Sequence, residues 1–387
     1  MTRLTTLMAV AATAWTALAS GSPGAMTKAP CAMPRASRPD ADAPRVQIAL
    51  LLDTSNSMDG LIDQARSQLW TVVNEFAAAR RAGQAVELQV ALYEYGNNRI
   101  PAARGYVRQV LPFTTDLDRV SEELFALTTF GGEEYCGLVI QTALDELRWS
   151  TSPGDLKAVF IAGNEPFSQG PVDFRRVSAR ARTRDVAINT IHCGSRADGE
   201  RTGWSEGARL ADGTFGVLDQ NRPVAHIPAP QDDEIARLSG ALNDTYIPYG
   251  AEGTAGQARQ QAQDSNAAKA NKGAAINRAF TKATRLYSNE GWDLVDAVKN
   301  RQVELKAMKT TDLPASLQGL TLDERRAIVE AKARERARLQ ARIQELDADR
   351  KAYLAQIRRA EVVPETLDAV MMQGLRDQAA CRGFALQ

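Results

Sequence analysis

The stretch "VQIALLLDTSNSMDG", residues 46–60, runs almost unbroken in apolar side chains to Leu52 and then stops at an acid, Asp53. A strand covered on both faces reads this way, because neither of its sides meets water. The residues after it give Asp53, Ser55 and Ser57 in a D-x-S-x-S pattern. "GLIDQARSQLWTVVNEFAAARR" (60–81) follows, with Leu61, Ala65, Leu69, Val72, Val73 and Phe76 at helical spacing. On a strand-to-helix loop this spacing gathers one carboxylate and two hydroxyls. Those are hard oxygen donors, suited to Mg²⁺, Mn²⁺ or Ca²⁺ and not to zinc or copper. Asp and Ser also cap helices, so the stretch by itself leaves capping open as well.

Outward from that point the pattern alternates. "AVELQVALYEYG" (85–96), "YVRQVLPFT" (106–114), "LKAVFIAG" (156–163), "VAINTIHCG" (186–194) and "GTFGVLD" (213–219) read as strands. Helical stretches at 116–127, 137–149, 172–185, 203–212 and from 232 lie among and after them. Strands separated by helices pair in parallel through right-handed crossovers. The fold class expected for 45–250 is α/β: a doubly wound, mostly parallel, Rossmann-like sheet. Ligands of such sheets collect outside the carboxyl ends of the strands, which is where Asp53 stands.

Beyond 250 the character changes. Residues 251–275 are polar and Gln/Ala-rich and read as a linker. Residues 276–387 read as an α-helical C-terminal region. Its longest element spans 320–360 and opens with Thr321 and Glu324 as a capping box. Leu339, Leu346 and Tyr353 recur every seven residues, like a coiled-coil seam that could form a homodimer. Arg336 and Arg350 interrupt that seam, and a helix folded back on the first domain fits the pattern as well.

At the other end, Arg3 and the short apolar run before Ala17-Leu18-Ala19 read as a signal peptide cut after residue 19. Residues 20–44, rich in Ala, Pro, Ser and Asp, read as a disordered leader. The expected location is therefore periplasmic or secreted, with no transmembrane span once the signal is removed. Of the cysteines in the exported chain, Cys136 and Cys193 lie at the ends of core elements, so the expected disulfide joins them. Cys31 and Cys381 would then tie the tails, and buried free thiols are the other reading. The 387 residues carry 47 basic and 47 acidic side chains, so no overall field favours nucleic acid.

On "VQIALLLDTSNSMDG" and the strand–loop–helix around it, residues 45–250 resemble the von Willebrand factor A domain family. The segments "GGEEYCG" and "AGNEPF" and the helical tail are similar to those of exported bacterial members. The resemblance implies a metal-ion-dependent adhesion site in which Asp53, Ser55 and Ser57 hold a divalent cation, Mg²⁺ or Ca²⁺. The family adds a Thr from a second loop and an Asp from a third. Here the second loop is "TTFGGEEYCG", with Glu133 at the Thr position; Thr128 or Thr129 could supply a hydroxyl, and Glu133 or Glu134 a carboxylate. In the third loop, "IAGNEPF", Gly163 stands where the Asp is expected, leaving Asn164 or Glu165 to serve. The implied site is thus a variant one, with a carboxylate moved from the third loop to the second.

Tyr95, Tyr135 and Phe167 lie where an aromatic rim could form, although packing is the commoner fate of such residues, and Glu94 could reach inward. Histidines occur only at His192 and His226. His192 and Cys193 are adjacent on a strand and face opposite ways, so they form no catalytic pair. No phosphate-cradling loop is present. The expected function is therefore not enzymatic. It is an exported binding module that uses its cation to engage a protein partner in the cell envelope. The alternative is a periplasmic structural or assembly protein whose helical tail mediates contacts and whose metal site is dead.

Overall fold

The computed structural model describes residues 43–222, 226–358 and 366–386. The expected signal peptide, nearly all of the expected leader, and Cys31 with its pairing lie outside these residues. In chain order the strands are β1 (Arg45–Asp53), β2 (Arg80–Arg81), β3 (Gln84–Ala85), β4 (Glu87–Tyr95), β5 (Val107–Thr114), β6 (Leu156–Gly163), β7 (Ala187–His192), β8 (Phe215–Val217) and β9 (Phe384–Ala385). The helices are α1 (Asp59–Glu75), α2 (Leu117–Ala126), α3 (Cys136–Glu146), α4 (Phe174–Thr183), α5 (Arg196–Arg201), α6 (Trp204–Leu210), α7 (Asp232–Asn243), α8 (Gly253–Ala270), α9 (Lys272–Lys282), α10 (Leu294–Lys299), α11 (Ala315–Gln318), α12 (Leu322–Arg358) and α13 (Leu367–Cys381).

The main sheet has the order β5-β4-β1-β6-β7-β8. Only the β4–β5 pair is antiparallel. Helices cover both faces, which is why β6 and β7 are buried at every position and their sequences do not alternate. The chain leaves β1 for β4 on one side and later returns to β6 on the other. The carboxyl end of β1 is therefore a topological switch point, the crevice where such sheets place ligands.

The two faces hold separate cores. Val46, Ile48 and Leu52 of β1 pack with α1 and α2, whereas Ala49 and Leu51 pack with α3 and α4. This division overturns the expected Cys136–Cys193 disulfide. Cys136 lies in the core under α3 and Cys193 in the core under α1, with the sheet between them; both are buried free thiols.

The helical region differs from expectation in several ways. The expected linker at 251–275 is mostly the helix α8, held by buried Gln260, Gln263 and Ala267. α7 shares a core with α9 and α12. The face of the sheet beside α1 is covered by α13, whose Leu367, Met371, Leu375 and Ala379 join that core. The seam of α12 is satisfied within the chain: Leu339, Ile343 and Leu346 are buried against α7 and α9. A homodimer through those residues has no free apolar stripe to use, so the coiled-coil reading gives way to the folded-back helix. Arg336 and Arg350, which break the heptad, are buried ion-pair partners: Arg336 meets Asp293 and Asp296 at 2.7 and 2.8 Å, and Arg350 meets Asp232 at 2.8 Å. Among the described residues no helix is long and apolar enough to cross a membrane.

Candidate metal centre

β1 pairs with β4 so that Asp53 lies beside Tyr95. Asp53 is fully buried. Its Oδ1 accepts the backbone N–H of Ser55 at 2.8 Å, which bends the chain out of the strand. Its Oδ2 is buried with no hydrogen-bond partner. Leaving a buried acceptor unpaired costs about 1–3 kcal/mol, more for a charged group, so its persistence calls for a ligand.

Around this oxygen the loops gather more donors. Ser55 Oγ and Ser57 Oγ stand 3.3 Å apart. From the third loop, Asn164 Nδ2 donates to Ser57 Oγ at 3.3 Å, while Asn164 Oδ1 is a second buried oxygen without a partner. From the second loop, Glu134 is buried, with Ser55 close enough to oppose the rise in its proton affinity. Glu165 lies close enough to raise the proton affinity of both Asp53 and Glu134. Gly96 makes room for the group: its φ is +80°, and a Cβ there would stand 2.6 Å from Asp53 Oδ1 and 2.8 Å from Glu134 Cγ.

Desolvation pushes Asp53 up to about 8, with Glu134 and Glu165 adding to it and the Ser55 hydrogen bonds opposing. Glu134 rises to about 7, again by burial first and then by Glu165. Carboxylates in this state attract a cation that can replace their protons. Among the described residues no three His, Cys, Asp or Glu side chains converge on one point as a metal cage. The set here mixes carboxylate, hydroxyl and amide oxygens, and two of those oxygens are orphaned. That donor chemistry fits a hard divalent ion such as Mg²⁺ or Ca²⁺.

The raised values make the metal-free protein sensitive to pH. Asp53 and Glu134 bind protons more tightly folded than unfolded. Their contribution is therefore fully present below the usual carboxylate range and is lost as pH rises through about 7 to 8. Urea midpoints measured in chelator are expected to fall between pH 5 and pH 8, both set by those shifts. A midpoint that rises over that interval would contradict the burial of the pair.

The other expected donors are engaged elsewhere. Thr129 Oγ1 donates to Asp59 Oδ1, and Thr128 Oγ1 accepts from Arg99 Nη1 at 3.2 Å. Glu133 is exposed and accepts from Gln169 Nε2 at 3.0 Å, so the second loop contributes its next residue, Glu134. Gly163 is required rather than merely tolerated: a Cβ there would meet Tyr95 Oη at 2.5 Å and Asp53 Oδ2 at 3.0 Å. Placing an acid there with Gly163→Asp is expected to cost about 1–3 kcal/mol in urea unfolding, through overpacking.

The aromatic rim is absent. Tyr95 is buried, donating to the Ala162 carbonyl at 3.0 Å and accepting from Cys136 Sγ at 3.8 Å. Phe167 packs on Phe174 and Trp204, and Tyr135 packs edge-on to Tyr106. Glu94 turns away to Arg108 at 2.6 Å. His192 lies against Trp204, and His226 pairs with Asp232 at 2.8 Å. Two contributors escaped the sequence reading. Gly96 had one signal, a glycine directly after a strand. Phe130 is 43% exposed beside the site with the Arg99 guanidinium 4.7 Å over its ring.

Residues 47–208 match the family model described as the von Willebrand factor type A domain. No curated protein matches the chain. Among solved structures, the chain is similar to BatB from Bacteroides thetaiotaomicron at 15% identity, over 45% of this chain and 90% of that one, with a TM-score of 0.34. It is similar to the von Willebrand A domain of SpRpn10 at 15% identity, over 46% and 88%, with a TM-score of 0.34. It is also similar to proximal thread matrix protein 1 of the mussel byssus with a zinc-occupied adhesion-site motif, at 12% identity, over 46% and 43%, with a TM-score of 0.34. The family match ends at residue 208, before α7.

Proposed function

We propose, taking residues 47–208 as a von Willebrand factor type A domain, that the protein is an exported binding module that engages a protein partner in the cell envelope through a divalent cation. Asp53, Ser55 and Ser57 would hold the ion, with Glu134 from the second loop and Asn164 and Glu165 from the third. The observation that carries this reading is Asp53 Oδ2, a buried carboxylate oxygen with no partner at the switch point of the sheet. When bound, the ion supplies an open coordination position to an oxygen of the partner. The chain's own residues do the rest. Ser55 and Asn164 orient the donors, and Glu134 and Glu165 lower the residual charge of the site. That makes the ion tight and lessens its pull on an acidic partner group. Phe130 and Arg99 beside the site supply an apolar and a cationic contact, the residue types that anchor interfaces.

Thermal unfolding during titration with Mg²⁺ or Ca²⁺ tests the cation. A bound ion raises stability by about 2.7 kcal/mol at a hundred times its Kd. A melting temperature indifferent to both ions would reject the reading. Capture of a partner from envelope extract with and without chelator then tests the interface, and chelator is expected to release it.

A further inference from the structure

α7 ends at Asn243, α9 ends at Lys282, and α8 brings Asp264 between them. Lys282 is fully buried, and its Nζ contacts Asn243 Oδ1. The same nitrogen lies 2.9 Å from Asp264 Oδ2. That carboxylate oxygen also accepts from Asn243 Nδ2 at 2.7 Å. One oxygen thus touches both an amine nitrogen and a carboxamide nitrogen. The other oxygen, Oδ1, is held by Arg278 Nε at 2.5 Å, with Lys282 Nζ 3.3 Å away. Arg278 is itself anchored by Asp118 at 2.6 Å. An amine nucleophile, an acyl carbon and a proton carrier therefore share one water-poor site, which is the arrangement acyl transfer needs.

We propose that Lys282 and Asn243 join in a self-formed isopeptide bond, with Asp264 as the proton carrier. Neutral Lys282 Nζ attacks Asn243 Cγ, and its electron pair forms the new C–N bond. The attacking nitrogen gives one proton to ionised Asp264. Asp264 passes that proton to Nδ2, the C–Nδ2 bond breaks with its electron pair on nitrogen, and ammonia leaves. Amine plus carboxamide becomes secondary amide plus ammonia, with no oxidant or cofactor. The local electrostatics agree with this order. Burial, reinforced by Arg278, pulls the Lys282 amine below its usual range against the pull of Asp264. Although burial pushes the Asp264 carboxyl up, Lys282 and Arg278 hold it below the usual carboxylate range.

Intact-mass measurement of the reduced, denatured full chain, with its N-terminus read independently, tests the bond. The expected mass is about 17 Da below that of the sequence, the mass of the ammonia lost. Tryptic digestion should give residues 279–285, uncut after Lys282, joined to residues 238–259. Lys282→Met and Asp264→Asn should each return the full mass. The wild-type chain carries the decision, since it needs no variant to fold. A cooperatively melting wild-type protein of full mass, cut after Lys282, overturns the proposal. So does an ammonia loss confined to one uncrosslinked peptide.

Discussion

Asp53→Ala is expected to abolish the cation-dependent rise in melting temperature and to weaken binding of Mg²⁺ or Ca²⁺ by at least about 100-fold, the upper end of what removing a mere supporting residue does. Asp53 is the one donor fixed by the end of a central strand, and its Oδ2 has no protein partner to compete with an ion. Truncation takes away the carboxylate that burial most strongly disfavours as an anion, so the metal-free fold is expected to survive. Isothermal titration of wild type and variant, each shown folded by its own melt, reads the effect. Equal affinities would move the ion elsewhere and leave Asp53 as a structural acid.

The largest stability effect is expected at Arg336. Its Nη1 binds Asp293 Oδ2 and Asp296 Oδ1, its Nε and Nη2 bind the hydroxyl and carbonyl of Thr245, and its guanidinium lies 4.0 Å from the Tyr246 ring centre. Asp293 and Asp296 cap and position α10, so one side chain ties α12 to α10 and to the segment after α7. Arg336→Ala leaves two buried carboxylates without their cation, and losing one partner of such a group costs about 3–5 kcal/mol. Urea unfolding should show a correspondingly lower midpoint. Arg338→Ala, two residues along on the solvent side, breaks only an exposed pair with Glu335 and should leave the midpoint unchanged. Equal effects at the two positions would mean that the buried network does not hold the helical region in place.

The contrast between these two arginines shows how much of the molecule was legible in the chain. The strands β1, β6 and β7 were readable because burial on both faces writes itself into consecutive residues. Asp53, Ser55 and Ser57 were readable because their spacing places three donors on one short loop. That Glu134 and not Glu133, and Asn164 and Glu165 and not Thr129, stand beside Asp53 was not. Each depends on how two loops meet the end of β1, and local sequence does not encode that. A position next to Gly96, whose lack of a side chain admits Glu134, decides it. Arg336 and Arg350 looked like interruptions because heptad reading assumes an apolar partner. The actual partners, Asp293, Asp296 and Asp232, lie 40 or more residues away in sequence. The two cysteines looked like a pair because both end core elements, yet only the sheet standing between them decides that they never meet. Local periodicity thus determined the elements, the sheet class and the first donors. Tertiary packing alone decided which side chains converge, because convergence is a property of faces and distances that no short stretch of chain contains.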